Sequence, residues 1–259
     1  MAIQQDTRHK VTLSVVSHGQ HYLLGPLFED LERHCRDHIE VILTHNLPEE
    51  HAFGNMEASF PVRLIHNTRP KGFAENHNAA FASGCSEYFC VINPDIRLRH
   101  NPFPALIATL KNPQIGVVAP LILDPQNTIA DSARKFPTVL SIVRKLGKRN
   151  NLPDYPIGDT TFFPDWVAGM FMLFHRNVFN EIRGFDKNYF LYYEDVDICA
   201  RLRLAGYRAA LCPAASAIHD AQRTSHRKLR YLKWHLSSML RFFILSAFRR
   251  IGLKQKIGK

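Results

Sequence analysis

The sequence predicts an α/β protein with a mostly parallel central sheet flanked by helices. Short apolar runs alternate with helical stretches through the first half of the 259 residues, the pattern of βαβ units. Hydrophobic residues make up 46% and charged residues 22%, a globular composition, and the length allows a sizeable core. No 18-residue apolar run exists, so a membrane-spanning helix is not expected.

Val11–Ser17 reads as a buried first strand, followed by a helix around Tyr22–Arg36. Glu40–Thr44 and Val62–His66 are the next strands, Phe73–Ser83 a helix, and Tyr88–Asn93 a fourth strand. Pro102–Lys111 suggests a helix and Gly116–Pro120 a fifth strand. Lys148–Phe163 is rich in Asn, Pro, Asp and Gly and reads as a loop, and the apolar run Trp166–Phe174 suits one central strand. Glu194–Ala205 is a helix that Gly206 stops, and His226–Phe248 is a last helix. Its Leu229, Leu232, Leu236, Leu240, Phe243 and Ala247 form one apolar stripe.

The charge of +10 is unevenly placed. Residues 221–259 hold eleven Lys and Arg and no acid, so residues 1–220 carry a net charge of −1. A nucleic-acid binder spreads basic residues over its folded face, so none is expected as a partner. A basic terminal segment with Trp234, Phe242, Phe243 and Phe248 suits an anionic membrane surface. The stripe equally suits packing on the body. Met1–Lys10 is polar and lacks a signal peptide's apolar stretch, so the expected location is cytoplasmic, peripheral on the inner face of the cell membrane. Five scattered cysteines form no CxxC pair and read as buried thiols.

In an open parallel sheet, ligands bind at the carboxyl ends of the strands. Ser17-His18-Gly19, Thr44-His45-Asn46 and Asn93-Pro94-Asp95 all fall there. An aspartate at such an end can hold Mg²⁺ or Mn²⁺ against a diphosphate, although capping is its commoner duty. Lys71–Asn78 opens a helix, where Gly72 permits close backbone approach and Asn76 and Asn78 offer donors. Tyr192-Tyr193-Glu194-Asp195-Val196-Asp197 puts three acids at a helix start. Arg201, four residues beyond Asp197, pairs with it and leaves Glu194 and Asp195 for chemistry as general base. His219 ends the apolar segment Ala214–Ile218.

The order of these motifs resembles family 2 glycosyltransferases of the GT-A, Rossmann-like fold over roughly residues 11–245. The residues that carry it are Gly72-Phe73-Ala74 with Asn76 and Asn78, Asn93-Pro94-Asp95, Arg134-Lys135-Phe136-Pro137, Asp165-Trp166 with Gly169, Gly184-Phe185-Asp186, Tyr193–Asp197 with Arg201 and Gly206, Pro213, and His219. Ala214–His219 and Trp234-His235-Leu236 are similar to the bacterial rhamnosyltransferases of O-antigen assembly. The resemblance implies a catalytic domain at 1–220, with a nucleotide-binding half at 11–120 and an acceptor half at 121–220, and a membrane-associating tail at 221–259. It implies Asp195 as catalytic base, Glu194 orienting the acceptor, and Asp95 with His219 holding the metal. Ser17, Asn46, Gly72, Asn76, Asn78, Asn93 and Trp166 would then bind the nucleotide sugar beside Asp95. The implied donor is dTDP-rhamnose and the implied acceptor N-acetylglucosamine on a polyprenyl diphosphate. Another nucleotide sugar such as a UDP-hexose or UDP-galactofuranose, a sugar nucleotidyltransferase, and a non-catalytic nucleotide binder remain alternatives. Two positions depart from the family pattern: His45 stands where an Asp is usual, and Asn93 where a first metal aspartate is usual. On this reading a tail-deleted chain loses the membrane yet still acts on a soluble acceptor.

Overall fold

A computed structural model of the chain describes residues 10–48, 58–139, 141–142, 153–220 and 229–249. The expectations for Met1–His9, for 148–152 and for most of the basic residues beyond 220 lie outside the described residues.

The strands are β1 (Val11–Ser17), β2 (Ile39–His45), β3 (Val62–His66), β4 (Tyr88–Ile92), β5 (Ile96–Arg97), β6 (Ile115–Leu123), β7 (Ala133–Arg134), β8 (Trp166–Val167), β9 (Phe171–His175) and β10 (Arg208–His219). The helices are α1 (Leu24–His34), α2 (Phe73–Ser83), α3 (Phe103–Leu110), α4 (Arg176–Glu181), α5 (Glu194–Leu204) and α6 (Leu229–Arg249). Eight strands form one sheet in the order β3-β2-β1-β4-β9-β6-β10-β5, and β7 and β8 pair separately. β3, β2, β1 and β4 run parallel, as do β6 and β10, while β9 lies antiparallel between β4 and β6.

The central strands are apolar on both faces because both are covered. One core joins Leu13, Val41, Leu173 and Phe171 to Leu27, Leu31, Phe103 and Leu106 of α1 and α3. The other joins Phe89, Val91, Met172 and Phe174 to Ala74, Phe179, Ile198 and Leu202 on the opposite side. A smaller cluster of Tyr189, Val196, Ala200 and Phe242 lies under α6. Gly206 ends α5 at φ +93°, a left-handed conformation that glycine adopts without steric cost.

The run Trp166–Phe174 is not one strand. Trp166–Val167 pairs with Ala133–Arg134 in the small sheet, and only Phe171–His175 enters the large one. Each ladder runs one bond further, Ala168 N donating to Ser132 O (2.8 Å) and Asn93 N to Met170 O (2.9 Å), and the run breaks at Gly169, whose N–H donates to Asp195 Oδ2 (3.0 Å). β10 is also longer than the predicted segment. Its register against β6 slips between Cys212 and Ser216, where Pro213 offers no ladder donor.

α6 confirms the helical periodicity but not the face. It docks through Trp234, stacked on Phe190 at 4.6 Å, Ser238, whose hydroxyl donates to Leu191 O (2.9 Å), and buried Phe242. Arg241 reaches Asp186 Oδ2 at 2.7 Å. Leu232, Leu236 and Leu240, half of the anticipated stripe, point outward instead.

Candidate active site

The carboxyl ends of the central strands carry two groups of polar side chains. At the first, Asp95 follows β4 in a turn closed by Ile96 N donating to Asn93 O (3.2 Å). β10 ends beside it, so that His219 Nε2 lies 3.2 Å from Asp95 Oδ2. Asp95 Oδ1 is buried and has no hydrogen-bond partner. A carboxylate with one buried, unpartnered oxygen and an imidazole nitrogen beside its other oxygen is a donor set that fits a divalent cation. Among the described residues no group of three or more His, Cys, Asp and Glu is placed to hold a metal ion.

At the second, Tyr192 and Tyr193 both take the left-handed region, with φ +71° and +67°, and deliver Glu194 and Asp195 at the start of α5. Left-handed aromatic residues are strained, and such strain clusters at functional sites. Asp195 Oδ2 accepts from Gly169 N (3.0 Å) and Oδ1 from Val196 N (2.9 Å). Glu194, 5% exposed, keeps an Oε2 with no hydrogen-bond partner. Burial raises both carboxyls above the ordinary range, and the Asp195 charge raises Glu194 further. The two N–H donors and nearby Arg134 counteract burial at Asp195. Glu194 therefore keeps its proton to higher pH, and Asp195 ionises first. Asp197 pairs with Arg201 as the spacing predicts, Nε to Oδ2 at 2.7 Å.

The two groups share one end of the sheet. Asp195 is bonded to Gly169, the adjacent Met170 is bonded to Asn93, and Asn93 stands two residues before Asp95. A cavity of about 460 Å³ adjoins Asp195, with Arg134, Trp166, Tyr192, Glu194 and His235 among its walls. A broader, open depression of about 560 Å³ over the end of α1 holds Asp37, just before β2, and so lies at the opposite end of the strands.

The nucleotide-side residues are more structural than the sequence suggests. Ser17 is fully buried. Asn46 Oδ1 accepts from Lys71 N (2.8 Å) and from Asn67 Nδ2 (2.9 Å), which also donates to Asn76 Oδ1 (2.7 Å). These buried amides brace the ends of β2 and β3 against α2, and Asn76 is only 1% exposed. Asn78, 200° around the helix from Asn76, is turned away: its amide donates to Phe185 O (2.8 Å) and accepts from Phe185 N (3.0 Å). Gly72 does permit close approach, but of the chain itself, because an added Cβ would lie 2.6 Å from Phe190 O. Trp166 donates through Nε1 to Lys135 O (2.9 Å) and belongs to the Asp195 cavity rather than to the Asn46 cluster. His45 stacks on His66 at 5.1 Å. Sequence reasoning gave no role to Arg134 or His235. Both stood in matched motifs, the only signal that could have flagged them.

The open, mostly parallel sheet with polar groups gathered at its carboxyl edge has the GT-A fold of solved transferase structures. GalNAc-T7 with UDP, GalNAc and Mn²⁺ superposes with TM-score 0.64 at 13% identity, over 83% of this chain and 44% of that one. The mannosyltransferase PcManGT of Pyrobaculum calidifontis, in complex with GDP-Man and Mn²⁺, gives 0.60 at 17%, over 91% and 65%. The family description "Glycosyltransferase like family 2" matches residues 8–241, and the chain belongs to that family of glycosyltransferases. It is 30% identical to the rhamnosyltransferase WbbL of Escherichia coli K12 over 252 residues, 90% of this chain and 92% of that protein. It is 28% identical over 158 residues to the N-acetylglucosaminyl-diphospho-decaprenol L-rhamnosyltransferase of Mycobacterium tuberculosis, 54% of this chain and about half (49%) of that relative's length.

Proposed function

We propose that the chain is an inverting rhamnosyltransferase that moves L-rhamnose from dTDP-rhamnose to N-acetylglucosamine carried on a polyprenyl diphosphate, at the inner face of a membrane. The observation that carries this reading is the convergence of the Asp195 and Asp95–His219 groups at one sheet end. The names of the two rhamnosyltransferase relatives support rhamnose as the transferred sugar and, for the mycobacterial one, the acceptor.

Asp195 takes the proton of the acceptor hydroxyl as that oxygen attacks the anomeric carbon, and the nucleoside diphosphate leaves from the opposite face. A single displacement inverts the configuration. General-base help of this kind is worth about 10²–10⁴-fold. Gly169 N holds the carboxylate in position, and the neutral Glu194 beside it adds no repulsive charge. Asp95 and His219 would hold Mg²⁺ or Mn²⁺, whose chemical contribution is to neutralise the diphosphate. The two GT-A neighbours, each solved with Mn²⁺, support that assignment.

The test is transfer of rhamnose from labelled dTDP-rhamnose to prenyl-diphospho-N-acetylglucosamine, with UDP-hexose and UDP-galactofuranose in parallel. The wild type should form product of inverted configuration with the rhamnose donor. Asp195→Asn should lower turnover about 10²–10⁴-fold with dTDP affinity unchanged. Turnover retained in that variant removes Asp195 as the base, and transfer from a UDP-sugar alone removes the donor assignment.

A further inference from the structure

The C-terminal helix does more than follow the catalytic domain. His235 of α6 lies edge-on to Tyr192 (ring centroids 5.3 Å apart) and to Tyr193 (5.5 Å), the two strained residues that introduce Glu194 and Asp195. It forms one wall of the cavity of about 460 Å³ beside Asp195, a size within the usual range of ligand pockets. None of Ser17, Asn46 or Asn76 lines that cavity. Its walls lie on the Asp195 side of the sheet end, where an attacking hydroxyl must stand.

The chemistry of those walls is that of a sugar site. Trp166 and Tyr192 supply aromatic surface for the C–H face of a pyranose, and Glu194 keeps a buried, unpartnered Oε2 for a polar substituent. Partial burial lowers the His235 pKa, so the imidazole is neutral near pH 7 and can both donate to and accept from hydroxyls. We infer that this cavity is the subsite for the acceptor's pyranose ring and that His235 is a positioning residue for it. The inference rests on the reading of Asp195 as base, and it moves Trp166 from the donor to the acceptor.

The chain has two tryptophans, so Trp234→Phe leaves Trp166 as the sole indole reporter while keeping an aromatic ring on Phe190. Titration of that variant with octyl N-acetylglucosaminide, a neutral soluble acceptor, should shift Trp166 emission, whereas dTDP-rhamnose should not. His235→Phe keeps a ring against the tyrosines and removes the hydrogen bond. It should weaken glucosaminide binding and raise acceptor KM about tenfold, with donor KM unchanged. His235→Gln should recover part of the loss. A Trp166 response to dTDP-rhamnose alone, no response to the glucosaminide, or an unchanged acceptor KM in His235→Phe would each overturn the inference. If Trp166 reports the glucosaminide but no rhamnose is transferred, the donor reading falls and the cavity assignment stands.

Discussion

Glu194 and Asp195 are adjacent acids in one buried site, and like charges so close do not ionise together readily. Asp195 accepts two N–H bonds and feels Arg134, while Glu194 Oε2 has nothing to offset its burial. As the proposed base, Asp195 must be ionised to work, so activity should be lost as pH falls through its raised pKa. It is lost again at higher pH, when Glu194 gives up its proton and places a second charge beside the base. A pH profile of kcat/KM should therefore be bell-shaped, with its acid limb above the ordinary aspartate range. Glu194→Gln should leave the acid limb in place and abolish the alkaline one. The stability sign is equally definite. A folded-state acid with a raised pKa binds more protons than the unfolded chain, so stability falls as pH rises above the usual carboxylate range. Glu194→Gln should accordingly raise Tm at neutral pH and flatten that decline; an unchanged melting profile refutes the neutral Glu194. The sequence showed three acids beside two aromatics and the pairing of Asp197 with Arg201. It could not show the left-handed Tyr192 and Tyr193, because nothing local favours that conformation in aromatic residues.

At the level of elements, Val62–His66 and Phe73–Ser83 were legible to the residue because their apolar spacing is local information. The Trp166–Phe174 run was not, since its break is set by bonds from Ser132, Asn93 and Asp195, all distant in sequence. α6 illustrates the same limit. Periodicity located a helix with an apolar stripe, yet the docking side was decided by what the 186–193 segment offers: Phe190 to Trp234, Leu191 O to Ser238, and Asp186 to Arg241. Because the same segment leads into Tyr192 and Tyr193, α6 braces the chain that delivers Glu194 and Asp195, the proposed base. The expectation that a tail-deleted chain still acts on a soluble acceptor is therefore revised: deletion should cost activity on every acceptor. A milder probe is Arg241→Ala, which removes the Asp186 contact and the guanidinium 5.4 Å over Tyr189. A charge-assisted bond of this kind is worth about 1–3 kcal/mol, so Tm should drop by several degrees and kcat should fall on octyl N-acetylglucosaminide. Unchanged kcat on that acceptor would show that α6 does not support the base.

For the whole molecule, the faces of α6 set how the enzyme can meet its substrate. The inner face is spent on the 186–193 segment, and the outer face presents Leu232, Leu236, Leu240, Ile244 and Phe248 at steps of four, each 49% to 83% exposed. The 221–259 segment has no acid, and no described helix is long and apolar enough to cross a membrane. An apolar row on a basic helix suits one that lies in the headgroup layer of an anionic leaflet, where each Lys or Arg contributes about 1 kcal/mol. Successive helical residues are 100° apart, so Leu236, next along the helix, and Leu232, about one turn before, stand within about 100° of His235. On the proposed membrane reading, a bilayer beneath Leu232 and Leu236 would lie beside the His235 wall of the cavity, and an acceptor held by a lipid would not need to leave the leaflet to reach Asp195. Leu240→Asp with Ile244→Asp should abolish sedimentation with vesicles containing phosphatidylglycerol and slow transfer to a polyprenyl-linked acceptor. The same double variant should act normally on octyl N-acetylglucosaminide, because neither residue lines the cavity. Vesicle binding that survives both aspartates would move the membrane contact off this row and leave α6 as a brace alone.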